Sequence, residues 1–280
     1  MERPRCDSRR EAGSHVFLRN LFCQVGVVVT IFYYICSANQ IQMLMTMITR
    51  HHKSAALAFL AGTVMLTAPD VFSENRDADS LKPYFTIPAS EAAHPDAEGF
   101  IGRWLILDPI EKPNRSNTVF TDSYLREAFN TEYFPGQFSI WPRDGQKVKA
   151  GGKKLQWHSL DSNLFNVKLF RFATGLDKPY YGVLFWVVTA VDCDEDIENV
   201  RLSVGSNSAS MWWLDGEEAL LLSGDRRMVR DDAMSRRLTL KKGRNILRGA
   251  VINGPGMSDF CLRFLHDDGT PVTNIKISNK

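Results

Sequence analysis

The sequence predicts an all-β domain of the sandwich type over residues 99–280. Short apolar or alternating runs recur there between Gly, Asp, Asn and Pro, which is typical of strands joined by turns. The run Tyr180–Val191 (YYGVLFWVVTAV) is rich in β-branched and aromatic residues and apolar on both faces, as expected of a central strand covered on both sides. Asp215-Gly216 separates two apolar runs and favours a tight hairpin, because both residues readily adopt positive φ.

The other elements are predicted in chain order. Trp104–Leu107 is the first strand, and Thr121–Phe129 is the one convincing helical pattern, with Thr121 or Asp122 as its cap. Everything later favours strands. The alternating or apolar runs lie at 200–204, 237–241, 244–252, 260–264 and 272–277. About nine strands result, at the spacing typical of sandwiches.

Residues 1–73 predict a leader that contains a signal peptide. The basic residues 50–53 precede the apolar run Ser54–Ala68, and a basic segment before 7 to 15 apolar residues describes a secretory signal. We expect cleavage after Ser73. Because this signal follows some forty other residues, the true start is expected at one of three methionines, namely Met43, Met45 or Met47.

A two-helix membrane anchor is the rival interpretation of the leader. Its two apolar runs are Val25–Cys36 and Ser54–Ala68, and both are shorter than the roughly 20 apolar residues that span a bilayer. We therefore expect no stable membrane span and a periplasmic or secreted protein. Residues 74–98 are polar, contain three prolines and show no periodicity, so they are predicted to be a linker, with order beginning near Gly99.

Charge excludes one class of partner. The 207 residues after the leader hold 27 basic and 28 acidic side chains, which leaves no basic stripe for a nucleic acid. Two cysteines remain in this part, Cys193 and Cys261. They permit one disulfide in an oxidising compartment, although two buried thiols are the favoured interpretation.

Three segments carry a resemblance to a known family. Trp104–Ile110 (WLILDPI) is similar to an opening W-L-hydrophobic-G-P-F strand, with Asp108 where Gly is usual, and Val204–Gly216 (VGSNSASMWWLDG) is similar to a G-S-D-D-G-hydrophobic-x-W-L-N-G hairpin. Leu240–Arg263 contains the L-x-x-G-x-N, hydrophobic-x-N and F-x-x-R patterns of its ending. The chain thus resembles the galactose-binding-like jelly-roll modules of secreted polysaccharide-degrading enzymes over nearly all of residues 99–280.

More narrowly, the part after the leader resembles Bacteroidetes proteins described as acetylxylan esterases. The resemblance implies a jelly-roll sandwich, a plant-type polysaccharide such as xylan as ligand, and a catalytic esterase or glycosidase domain as a partner. Two functions are therefore weighed. The first is a non-catalytic carbohydrate-binding or accessory module. The second is an acetylxylan esterase with an unrecognised active site.

No catalytic residue is selected by the sequence. An α/β-hydrolase esterase should show G-x-S-x-G, and this pentapeptide is absent. The serine cluster Ser206, Ser208 and Ser210 runs into a predicted strand and is interpreted as hairpin structure. The histidines after the leader are interpreted as surface or edge residues, namely His94, His158 and His266.

The aromatic residues favour sugar binding. All six tryptophans follow the leader, and Trp212 and Trp213 are adjacent on one predicted strand. Their side chains must point to opposite faces, so one should lie on the outer face or in a groove unless a neighbouring loop covers it. The polar residues expected nearby are Asn207, Asp225, Arg226, Arg227 and Asn253. Arg227 could equally pair with Asp231.

A structural calcium ion is the one cofactor considered. Asp192, Asp194 and Asp196, with Glu195, supply four carboxylates within five residues, and calcium takes several oxygen ligands. No EF-hand spacing is present, so an ordinary polar loop between strands is the favoured alternative.

Overall fold

The computed structural model describes residues 79–114 and 116–280. These residues form mostly β-strands with antiparallel pairing, which confirms the predicted all-β sandwich. The strands in chain order are β1 (Phe85–Thr86), β2 (Ala92–Ala93), β3 (Arg103–Leu107), β4 (Ile110–Glu111), β5 (Lys147–Ala150), β6 (Lys153–Ser162), β7 (Val183–Cys193), β8 (Ile197–Ser206), β9 (Ser210–Leu214), β10 (Glu217–Leu222), β11 (Ala233–Leu240), β12 (Gly243–Asn253), β13 (Phe260–Leu265) and β14 (Lys276–Ser278).

The strands of this described part divide into a large and a small sheet. The large sheet has the order β1-β6-β3-β7-β12-β9-β10, with β4 and β14 also paired to β7, β2 paired to β14 and β5 paired to β6. The small sheet has the order β11-β8-β13. The small sheet covers only one face of the large one, so the other face needs a different cover.

Two hydrophobic cores result, one on each face of the large sheet. The first lies between the sheets and includes Leu202 of β8 and Phe264 of β13. The second lies on the opposite face, where helix α1 (Asp122–Asn130) and the segment after it supply the cover. Alternate residues of β7 enter the two cores, which confirms the prediction of a central strand buried on both faces: Phe185, Val187 and Val191 in the first, and Leu184, Trp186 and Val188 in the second.

Helix α1 confirms the predicted helix and its cap. The Thr121 hydroxyl accepts a hydrogen bond from the Tyr124 backbone N–H at 3.4 Å. A second helix, α2 (Leu169–Gly175), was not predicted. It has no side-chain cap at its N-terminus and spans only seven residues, so its sequence (LFRFATG) lacks a start signal and is too short to show a helical period.

The β9–β10 hairpin forms as predicted. Asp215 and Gly216 have φ values of 51° and 85°, the positive values that its two-residue turn requires. Trp212 and Trp213 point to opposite faces, as strand geometry demands. Trp212 contacts Trp104 in the first core at a ring centroid distance of 6.0 Å, and Trp213 contacts Trp186 in the second at 5.3 Å.

The start of the domain differs from the prediction. Order does not begin near Gly99, because residues of the predicted 74–98 linker belong to the sandwich. Phe85 is buried against Phe172 of α2, β1 pairs with β6, and β2 pairs with β14. These two strands are two residues long, so no alternating pattern could reveal them. Residues 1–78, with the predicted leader, lie outside the described part.

No helix within residues 79–114 and 116–280 is long and apolar enough to cross a membrane. Cys193 and Cys261 are both buried and free, which confirms the favoured interpretation of two thiols. Burial raises the pKa of each thiol to about 11, so neither is a reactive thiolate at neutral pH.

Candidate functional site

Both tryptophans predicted as sugar-binding residues, Trp212 and Trp213, are core residues. Trp212 is fully buried, and Trp213 is 6% exposed. Phe138, in the segment after α1, covers Trp213 at a centroid distance of 6.3 Å. A neighbouring segment therefore covers the outer indole, and neither ring offers a face to a ligand. Of the two alternatives left open for the outer ring, the covered one is found, and the open surface or groove is not.

The predicted polar residues do meet at one end of the sandwich. Asn253 ends β12 opposite Val183, where β7 begins, and Asn207 lies between β8 and β9 at the same end. Asp225 and Arg227 follow β10 there, and both are exposed. We call the segments at this end the Asn253 loops: residues 112–114, 116–119, 176–182, 207–209, 223–229 and 254–259.

Two asparagines that the sequence did not single out tie these loops together. The Nδ2 atom of Asn114 donates to the Lys112 carbonyl at 3.1 Å and to the Asn253 carbonyl at 3.2 Å. The Nδ2 atom of Asn117 donates to Asp225 Oδ1 at 2.7 Å and to the Pro255 carbonyl at 3.1 Å. Because each Nδ2 already faces two acceptors, the orientation of both amides is determined, and Asn117 positions the Asp225 carboxylate.

The amide oxygens of Asn114 and Asn117 converge on Gly254. A Cβ added at Gly254 would lie 2.2 Å from Asn117 Oδ1 and 2.5 Å from Asn114 Oδ1, so only glycine fits. Neither oxygen has a hydrogen-bond partner. Both therefore retain acceptor capacity inside the loops.

Unpartnered polar atoms are concentrated in this region. Among the described residues, ten buried side-chain nitrogen or oxygen atoms lack a partner. Six of them lie in or next to the Asn253 loops, on Asn114, Asn117, Asn207, Asn253, Ser258 and Asp259. Buried polar groups are normally paired, so such a concentration marks a place where water or ligand hydroxyls complete the hydrogen bonding.

An exposed aromatic side chain stands beside these groups. Tyr181 is 53% exposed, and it is the one aromatic residue among the markedly exposed large apolar side chains of the described chain. Its ring packs against Tyr180 at a centroid distance of 4.4 Å. Asn253 Nδ2 donates to the Tyr180 carbonyl at 2.5 Å, and the Gly182 carbonyl accepts from Lys112 N–H at 2.8 Å, so both neighbours of Tyr181 are held by the loops.

Tyr181 was not predicted as a site residue, because the apolar run Tyr180–Val191 indicates a single core strand. Strand β7 begins only at Val183, after the positive φ of Gly182. The Tyr-Tyr-Gly triplet before the strand is the signal that could have identified a turn carrying an exposed ring.

One ion pair is buried behind the loops. Asp259 is almost fully buried and accepts from Lys168 Nζ at 2.8 Å. Burial raises the pKa of the Asp259 carboxyl by more than Lys168 lowers it. The Asp259 carbonyl accepts from Asn207 N–H at 3.0 Å, which joins the 207–209 and 254–259 segments.

The serine cluster has structural contacts. Ser208 Oγ donates to the Ile252 carbonyl, Ser210 Oγ accepts from Trp212 Nε1 at 3.1 Å, and Ser206 Oγ accepts from Ser208 N–H at 3.3 Å. All three serines are buried. None of these contacts involves a histidine, so the cluster serves the hairpin.

His158 contacts a carboxylate instead, that of Asp108. Asp108 is buried and accepts from His158 Nε2 at 3.1 Å, from Lys178 Nζ at 3.2 Å and from Gln156 N–H at 3.0 Å. Burial by itself would raise the Asp108 pKa, but these donors outweigh it and hold that pKa below its ordinary value. The donors explain how a charged residue is accommodated there.

The remaining histidines lie elsewhere. His94 Nδ1 donates to the Ile275 carbonyl at 2.8 Å, and His266 lies in a turn in which the Gly269 N–H donates to the His266 carbonyl at 2.9 Å. Neither contact brings a histidine to the Ser206–Ser210 segment.

The predicted calcium ligands do not converge. Asp192 forms a two-point ion pair with Arg244 at 2.9 Å, Asp194 lies 3.4 Å from Lys276 Nζ, and Asp196 accepts from Lys242 N–H at 2.6 Å. In the described part of the chain, no group of three or more His, Cys, Asp or Glu side chains could hold a metal ion. These residues therefore do not form the calcium site, which was the less favoured interpretation of this loop.

The solved structures to which this chain is similar include two glycosidases and a PA14 domain. A β-glucosidase from Kluyveromyces marxianus, in complex with glucose, is 18% identical with a TM-score of 0.31, and the match covers 61% of this chain and 17% of that one. The PA14 domain of the antifreeze protein MpAFP is 10% identical with a TM-score of 0.36, covering 68% and 96% respectively. An alpha-xylosidase from Xanthomonas citri is 8% identical with a TM-score of 0.26, covering 69% and 20%.

All these TM-scores are below 0.5, so they determine neither the topology nor the function of this chain. The chain spans 17% of the length of the first of these enzymes. No family model and no curated protein matches the sequence.

Proposed function

We propose that this protein is an exported, non-catalytic carbohydrate-binding β-sandwich that binds a plant-type polysaccharide such as xylan through the Asn253 loops. The observation that carries the proposal is the exposed Tyr181 ring beside loops rich in amide and carboxylate groups. The sequence resemblance to galactose-binding-like modules of polysaccharide-degrading enzymes supports the same ligand class. An esterase or glycosidase domain is its proposed functional partner.

The chemistry of a sugar matches this surface. A pyranose ring has an apolar face, which packs on an aromatic ring, and a rim of hydroxyls, which bind planar polar groups. Tyr181 supplies the ring, and Asn117 holds the exposed Asp225 carboxylate ready to accept from hydroxyls. Arg227 is exposed, with no hydrogen bond or ion pair to other described residues, so its guanidinium is free to donate. The guanidinium of Arg226 is not free, because it forms an ion pair with Asp232.

The alternative function, an acetylxylan esterase, remains the second outcome of the test. It requires a serine and a histidine within hydrogen-bond reach. The described contacts of Ser206, Ser208 and Ser210 lead to backbone groups and to Trp212, so no specific observation favours this alternative.

The test uses the purified full-length chain with insoluble xylan and acetylated xylan. We expect retention on xylan without release of acetate. Tyr181→Ala should weaken retention about tenfold or more, because the stacking surface is lost. Met234→Ala, which removes a side chain of similar exposure (48%) on β11 of the small sheet, should leave retention unchanged.

Two results would contradict the proposal. Acetate release that survives rigorous purification would establish the esterase alternative. Equal retention of the Tyr181 and Met234 variants would place the binding surface elsewhere. Export is tested separately by N-terminal sequencing of the secreted product, and recovery of residues 1–44 in that product would refute the signal-peptide assignment.

A further inference from the structure

A cavity of about 330 Å³ lies away from the Asn253 loops, where the predicted linker packs on the start of β3 and the end of β6. Its wall includes His94 and Asp96 from the segment before β3, Arg103 on β3, and Asp161 on β6. A hexose-sized ligand fits a cavity of this volume.

One wall of the cavity is a rigid ion pair. Arg103 Nε and Nη2 donate to the two oxygens of Asp161, each at 2.7 Å. Arg103 Nη1 also donates to the Ser90 carbonyl at 3.0 Å, and the whole residue is only 4% exposed. Because its nitrogens already have partners inside the protein, this guanidinium neutralises Asp161 and is not presented as an anion site.

Two further groups in the wall have unused capacity. Asp96 Oδ1 accepts from the backbone N–H groups of Glu98 and Phe100 at 2.9 and 2.8 Å, whereas Asp96 Oδ2 has no partner among the described residues. His94 Nδ1 is bound to the Ile275 carbonyl, whereas His94 Nε2 has no partner there. In the neutral ring that nitrogen is an acceptor.

The opposite wall contains two aromatic rings and is electrically balanced. The rings of Phe100 and Phe165 lie 5.5 Å apart, and both line the cavity. The arginines stacked on them are each paired with an acid, Arg230 with Glu98 and Arg263 with Asp231. The Asp96 carboxylate therefore carries the excess charge of the cavity.

We propose that this cavity binds a sugar-sized ligand with a primary ammonium group, that is, an amino sugar. The unused groups include two acceptors, the excess charge is negative, and the exposed Leu164 and partly exposed Phe165 supply apolar surface for a sugar ring. Neither the Asn253 loops nor Tyr181 takes part, so the inference stands apart from the proposed polysaccharide site.

The test is calorimetric titration of the full-length chain with D-glucosamine and, separately, with D-glucose. The pH is kept below the pKa of the glucosamine amine, so that this amine is protonated. We expect D-glucosamine to bind about tenfold or more tightly than D-glucose, because a charge-assisted hydrogen bond to Asp96 is lost in the neutral sugar. Asp96→Asn should remove that advantage. It keeps an oxygen for the Glu98 and Phe100 N–H groups, so the fold is expected to persist.

Asp268→Asn is the matched control. Like Asp96, Asp268 accepts through Oδ1 from the backbone N–H of the residue two positions later, here Thr270, at 2.9 Å. Asp268 does not line the cavity. It should bind D-glucosamine like the parent chain, and so should Tyr181→Ala, which separates this proposal from the previous one. Equal binding of the two sugars, no binding of D-glucosamine, or an unchanged affinity in Asp96→Asn would overturn the proposal. Tighter binding of Nα-acetyl-lysine amide would assign the cavity to a peptide side chain instead.

Discussion

The packing of the Asn253 loops requires glycine at position 254, because a side chain there would collide with neighbouring amides. An alanine Cβ would lie within 2.5 Å of two amide oxygens whose Nδ2 groups are already committed, so neither amide can rotate away without losing hydrogen bonds. We expect Gly254→Ala to lower the free energy of unfolding by about 1 to 3 kcal/mol. It should also weaken retention on xylan.

Denaturant unfolding measures the first effect. Gly102→Ala is the control, because an added Cβ there meets nothing closer than the Ser162 carbonyl at 3.4 Å. If Gly254→Ala were no more destabilising than this control, the amide oxygens would have room to move and the rigid-loop description would fail.

Trp212 is predicted to matter for stability rather than for binding. Its ring lies between Trp104 and Phe260, at centroid distances of 6.0 and 4.9 Å, in the core between the sheets. Trp212→Ala should therefore cost about 3 to 5 kcal/mol of unfolding free energy. Chemical denaturation of this variant beside Tyr181→Ala, which should lose little stability, separates the two roles. Full stability of Trp212→Ala would contradict the burial of this ring in the core.

At the scale of elements, the small sheet depends on a charged link. Arg263 of β13 donates through Nε and Nη2 to the two oxygens of Asp231, the Nε bond being 3.0 Å long, and Ser203 Oγ of β8 donates to Asp231 at 2.6 Å. The sequence had left Arg227 as a possible partner of Asp231, and Arg263 takes that role instead. Three segments of the small sheet thus meet at one carboxylate.

This link makes stability depend on pH. The hydrogen bonds from Arg263 hold the pKa of Asp231 below its ordinary value of 3.8. A carboxyl whose pKa is lowered by folding stabilises the fold above its unfolded pKa, and that contribution is lost as the pH falls through the folded value. Asp231→Asn should therefore cost about 1 to 3 kcal/mol at neutral pH and little at low pH.

Unfolding curves of the two chains at several pH values provide the check. The loss should shrink as the pH falls below 3.8. Asp194→Asn, whose ion pair with Lys276 is largely exposed, is the control and should change stability little at any pH. A cost for Asp231→Asn that does not vary with pH would show that its charge does not contribute.

At the scale of the whole molecule, the large sheet is covered on both faces by different means. The small sheet covers one face, and α1 with the segment around Phe138 covers the other. This explains why β7 is apolar from Val183 to Val188 and why five of the six tryptophans are buried. It also explains why the most exposed aromatic side chain among the described residues is a tyrosine in a turn.

The fold was predictable wherever the signal is local. Thr121 caps α1, Asp215-Gly216 forms the hairpin turn, and β7 is buried on both faces, as their sequences indicated. The short strands β1 and β2 were not predictable, because they depend on pairing with distant residues, and helix α2 was not, because it is short and has no side-chain cap. The domain therefore begins earlier than the prolines before Gly99 suggested.

The candidate site was predictable only in part. Asn253, Asn207 and Asp225 were identified from their place in the chain, and they do lie at one end of the sandwich. Asn114, Asn117 and Tyr181 were missed, because their roles depend on contacts between segments more than a hundred residues apart or on where β7 begins.

The sequence by itself determined the all-β class, the central strand and the hairpin, since these follow from side-chain periodicity and from the φ preferences of single residues. Only the tertiary structure decided which aromatic rings are open to a ligand. A period-2 pattern shows that Trp212 and Trp213 face opposite ways, but exposure depends on what packs on each face. Phe138, Trp186 and the first core fill both faces here, and the Asn253 loops leave Tyr181 exposed.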